Sequence, residues 1–210
     1  RALSSVLVKG KTDGSGIKVT TYNITYCTTG MYQNALATAG IEDAEIVVAG
    51  PYNISGTAAL VGAIKSYENM TGETVSQENV DTATNELVVT GKLAESVGDS
   101  DKAEQLVGAV KEQVVEGSDN GKKLTEEEIG NVVDQAAQEM DVQLSDEDRQ
   151  EIVDLMDKIK GLDIDVDSLK EQAKDLYDKI DDLGLKLDWN QEKVQGFFSK
   201  IIEFFKNLFS

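Results

Sequence analysis

The chain has no histidine, one cysteine (Cys27) and one proline (Pro51) among its 210 residues. Without histidine, the usual general base and the commonest metal ligand are both missing. A single cysteine cannot staple its own chain, and a structural zinc site fails on ligand count. Stability must come from packing. No run of 18 apolar residues occurs, so no segment has the pattern of a membrane-spanning helix. The lysine-bearing phosphate loop GxxxxGK[ST] is absent as well. The sequence therefore offers no catalytic motif, and it implies no cofactor and no bound metal.

What it has in excess is acid. The net charge is −19, and it is unevenly spread. Residues 1–70 hold five basic side chains (Arg1, Lys9, Lys11, Lys18, Lys65) and five acidic ones (Asp13, Glu42, Asp43, Glu45, Glu68). The remainder carries 15 of the 20 basic and 34 of the 39 acidic residues. The simplest reading is a boundary near Gly72, with a small α/β domain over 1–72 and an acidic helical domain over 73–210. Such a surface repels phosphate backbones, so no nucleic-acid partner is expected.

In chain order, ALSSVLV (2–8) and IKVTTYNITYC (17–27) are β-rich and flank the turn-rich GKTDGSG (10–16). Together they predict a hairpin. Ile17, Val19 and Thr21 share one face of the second strand while Thr20 and Tyr22 share the other, which suggests a sheet covered fully on one side and partly on the other. Thr28 or Thr29 caps a helix that Gly40 stops. Ile46, Val47 and Val48 read as a buried strand ended by Gly50-Pro51, and Ser55 caps a helix from Thr57. The order ββαβα implies a small mixed sheet with a crossover between its second and third strands. After Gly72 the period is helical. Ser76, Asp99, Thr125 with Glu128, Ser145 with Asp148, Asp167 and Asp188 each mark a helix start. The fold class is α+β, a small mixed sheet followed by an acidic all-helical part.

VTTYNITY, MYQNALATAGIEDAEIVVAGPYNISGTAAL, LSDEDRQEIVDLM and GLDIDVDSLKEQ together resemble the YpuA-like proteins. These are secreted or surface-attached proteins of Gram-positive bacteria that carry a domain of unknown function. The resemblance covers most of the chain and is most specific from Thr20 to Leu60. It implies an extracellular or cell-surface location. It also implies residues ahead of Arg1, where the missing methionine reads as a processed or trimmed start. The family has no assigned catalytic residues, so none carry over.

Three stretches bear on function. Tyr52, Asn53, Ser55, Gly56 and Thr57 lie at a strand-to-helix turn, where free N–H groups could hold an anion; capping and close packing explain the same residue types. EGSDNGKKLTEE (116–127) faintly matches a calcium loop, but its first place is Glu116 and its eighth is Lys123, so no calcium site is assigned. In the last helix, Phe197, Phe198, Phe204, Phe205 and Phe209 share one broad apolar face. That face must be covered, by the chain's own helices, by a second copy or by a partner groove. A membrane surface is the least favoured cover, because three lysines against two glutamates leave residues 189–210 at only +1.

The residues thus describe a non-catalytic binding module that meets an envelope component or a protein partner. The alternative is an envelope-directed hydrolase using acidic residues in a cleft between the domains. Because like charges crowd residues 71–210, moderate added salt should raise the thermal midpoint above its low-salt value. A midpoint that stays flat across a salt series would mean the charges are already compensated.

Overall fold

The computed structural model describes residues 3–11, 14–119, 123–165 and 169. Three strands and six helices follow in the order β1 (Ser5–Gly10), β2 (Ile17–Ile24), α1 (Thr29–Thr38), β3 (Ala44–Ile54), α2 (Thr57–Thr71), α3 (Gln77–Val97), α4 (Ser100–Asp119), α5 (Glu126–Glu139) and α6 (Asp146–Ile159). The chain divides into two compact units, Arg1–Lys174 and Asp175–Ser210. The second unit, with the five phenylalanines of the last helix, lies outside the described residues.

The sheet is mixed, but β1 and β2 do not form the expected hairpin. The strand order is β1-β3-β2, with β3 antiparallel to β1 and parallel to β2. The Asp43 carboxylate organises the β1–β2 loop by accepting from the Gly14, Ser15 and Gly16 N–H groups at 2.7–3.0 Å. It anchors that loop to the start of β3, so the central strand inserts between its two predecessors. β3 also runs past Gly50-Pro51 to Ile54. The register slips between Tyr22 and Ile24, so that Ile24 meets Ile54, and Pro51 sits in the resulting bulge, where a missing N–H breaks no ladder bond.

Alternation gives the sheet two unlike faces. Ile17, Val19, Ala44, Ile46 and Val48 point inward and are buried. α1 packs on β2 and α2 on β1, covering that side. α3 and α4 then cover α1, and α5 and α6 complete the outer helical layer against α3 and α4. The helices start where local chemistry says they should. Thr28, Ser76, Thr125 and Ser145 accept from backbone N–H groups in the first turn, the last two within full capping boxes. Asp99 does the same for α4.

α1 is buried over almost its whole surface, polar residues included. Its buried polar side chains are bonded. Gln33 donates to the Ile17 carbonyl at 2.6 Å and Asn34 to the Glu104 carbonyl at 2.9 Å. Thr38 donates to Glu86 of α3. Lys111 of α4, 1% exposed, places its three ammonium protons on Asn34 O (2.7 Å), Glu86 Oε1 (2.9 Å) and Thr38 Oγ1 (3.2 Å). This network ties α1, ahead of Gly72, to α3 and α4 behind it. The change of charge at Gly72 thus falls inside the first compact unit, at a helix C-cap with φ +79°.

Replacing Lys111 by Met should destabilise the fold by about 3–5 kcal/mol, because Glu86 would keep a buried charge without its partner. Adding Glu86→Gln to that variant should recover a large part of the loss. Urea unfolding of the two variants and the parent checks both expectations.

Candidate functional site

The strand-to-helix turn singled out in the sequence is a docking point for the segment between β2 and α1. Three successive carbonyls accept from that segment. Ile54 O takes Thr25 N–H at 2.9 Å, Ser55 O takes Cys27 N–H at 3.1 Å, and Gly56 O takes the Tyr32 hydroxyl at 2.6 Å. Ser55 does not cap α2, contrary to expectation. The N-cap is Gly56, in the left-handed region at φ +89°, with no side-chain cap. The reason is spatial: a Cβ on Gly56 would stand 2.5 Å from the Tyr32 hydroxyl and 2.6 Å from Ile24 Cγ2. The chain turns there through the one residue type that fits.

Around this turn, Ser55, Gly56 and Thr57 join Leu3, Ser4, Ile54 and Ala58 in lining an open pocket of about 440 Å³. Tyr52 and Asn53 do not line it; they stand exposed on the β3 bulge. Among the described residues, no charged side chain lines the pocket. Cys27, next to the turn, is buried and free. Burial pushes its thiol up to about 11, against a smaller opposing effect of the Tyr32 hydrogen bond, so it is a poor nucleophile at neutral pH.

Two of the buried carboxylates, Glu86 and Glu104, meet partners inside the protein. Glu86 meets Lys111 and Thr38, and Glu104 accepts from Thr28. Gly30, lacking a Cβ, leaves room for the Glu104 carboxylate. In the faint calcium match, where no site is assigned, residues 116–119 belong to α4 and residues 120–122 lie outside the described residues.

The outer face of the sheet is the surface the sequence reading left unassigned. Register sets its side chains in three rungs. These are Ser5–Ala49–Tyr22, Leu7–Val47–Thr20 and Lys9–Glu45–Lys18. Leu7 is 53% and Tyr22 59% exposed, with Val47 and Ala49 half-buried between them. Together they make one diagonal apolar strip across all three strands. At the third rung, Glu45 pairs with Lys9 at 3.3 Å and Lys11 at 2.9 Å, and these bonds hold its carboxyl below the usual range. The period-two pattern of β2 was the available signal. It pointed to a partly covered second side, which on the outer rungs is bare.

Since Ser55 holds no cap bond, Ser55→Ala should shift stability by less than about 0.5 kcal/mol, whereas loss of a true N-cap costs about 1 kcal/mol. Gly56→Ala should cost at least about 2 kcal/mol through the positive φ and the Tyr32 clash. Chemical denaturation of the pair of variants decides between these readings of the turn.

Comparison with known proteins adds lineage. Residues 1–176 match the family model described as protein of unknown function (DUF1002). The chain is 38% identical over 172 residues to the uncharacterized protein YpuA of Bacillus subtilis (strain 168). That alignment covers 82% of this chain and 58% of the relative, so the chain spans little more than half the relative's length. No solved structure matches. On a family match over most of its length and this degree of identity, the chain belongs to the DUF1002 family of proteins of unknown function.

Proposed function

We propose that the chain is a non-catalytic binding module of the cell envelope or its exterior, and that it binds through the outer face of its sheet. The observation that carries this reading is the exposed Leu7–Val47–Ala49–Tyr22 strip on a face that α1 and α2 leave uncovered. Isolated apolar side chains on a surface need no explanation, but a continuous strip across three strands does. The buried carboxylates Glu86 and Glu104 are committed to interior partners, which takes them out of the running as the acid and base of a hydrolase. For the compartment, the reading rests on the resemblance to the YpuA-like proteins, which implies export.

Covering Leu7 and Tyr22 in a complex would be worth roughly 1.5–3 kcal/mol for each side chain. Leu7→Glu combined with Tyr22→Glu should therefore lower co-sedimentation of the purified protein with an envelope fraction at least about tenfold, with the thermal midpoint unchanged. Equal retention of parent and variant would remove the outer face from the function. Fractionation of cells producing the full-length protein checks the compartment.

A further inference from the structure

The outer face is small. Three strands about 4.8 Å apart and six residues of about 3.3 Å each give on the order of 300 Å². A stable interface between globular proteins needs about 800 Å² on each side. The face is thus too small to hold a second copy by itself, but it fits one extended segment of a few residues.

Its charge is also distinct from that of the rest of the chain. The rung Lys9–Glu45–Lys18, with Lys11 beside it, sets three lysines against one glutamate on a molecule of net charge −19. Lys18 is exposed and has no carboxylate partner among the described residues. An incoming anion would find that ammonium group open to solvent and, among the described residues, without a competing carboxylate.

Resting on the reading of this face as the binding surface, we propose that it takes a short acidic peptide segment of a partner protein. A large apolar residue of that segment covers the Leu7–Val47–Tyr22 strip, and a carboxylate reaches Lys18. Neighbouring rungs lie about 7 Å apart along the strands, which is the spacing of residues i and i+2 in an extended peptide. The expected motif is therefore an aspartate or glutamate two residues from a Leu, Ile, Phe or Tyr. A basic peptide would be drawn to many places on so acidic a chain and would need neither Leu7 nor Tyr22.

The test is a random dodecapeptide phage library, selected on the whole chain and counter-selected on the Leu7→Glu/Tyr22→Glu variant. Recovered peptides are then labelled and titrated by fluorescence anisotropy. The proposal expects peptides with that acidic–apolar spacing. They should bind at least about tenfold more weakly to Lys18→Glu than to the parent, with affinity kept in Lys18→Arg. Basic or uncharged peptides that still require Leu7 and Tyr22 would overturn the acidic partner while leaving the face as the binding surface. Failure to recover any face-dependent peptide, with envelope retention still lost in the double variant, would overturn the peptide proposal alone. Failure of both experiments would overturn the underlying reading too. A dimer in sedimentation equilibrium that Leu7→Glu abolishes would assign the face to a second copy and overturn the proposal.

Discussion

The architecture depends on burying one ammonium group. Lys111 sits at the meeting point of α1, α3 and α4, with Glu86, Thr38 and the Asn34 carbonyl as its acceptors. A charge so placed is tolerable only if every proton finds an acceptor, which fixes the mutual position of the three helices closely. A shift of about 1 Å in α1 would leave a bond unmade at a buried site. Apolar side chains alone would let α1 slide along the sheet; the polar network does not. With α1 fixed, the inner side of β2 is covered, and the sheet is left with one dry face and one wet one.

A second constraint works at the other end of α1. The carbonyls of Ile54, Ser55 and Gly56 receive Thr25, Cys27 and Tyr32, so the turn into α2 and the approach to α1 form one bonded unit. This explains why the turn looks like a ligand loop in sequence. Small residues, hydroxyls and a glycine are needed to bring two pieces of backbone together, and the same types would be needed to bring backbone to an anion. In this protein the backbone is the partner.

What could be read from sequence and what could not follow the range of the interaction involved. Thr28, Ser76, Asp99, Thr125 and Ser145 were legible because a cap acts within one turn of its own residue. The ββαβα order and the α+β class followed from period alone. The predicted hairpin does not form because adjacency in sequence does not name a strand's partner, and here Asp43 draws the loop toward β3. In sequence Gly50-Pro51 looks like a strand end, because a bulge admits proline and leaves no local sign of itself. Lys111, Glu86 and Glu104 were invisible for a different reason. In so acidic a helical stretch, charged residues read as solvent-facing, and their burial appears only when three helices are brought together. The binding face was half legible, since alternation marks a face but does not say what covers it.

The strand order has a consequence for how the chain comes to be folded. The middle strand of the sheet is the last of the three to be synthesised, and both earlier strands pair with it alone. Until β3 has been made, neither β1 nor β2 has the strand it pairs with. Every ladder in this sheet therefore closes over a long stretch of chain, with paired residues 27 to 44 positions apart, which is slow and entropically unfavourable compared with a hairpin. On the ribosome, the N-terminal strands would wait as unpaired, partly apolar segments while α1 forms between them and their partner. Arrival of β3 would then zip both sides together.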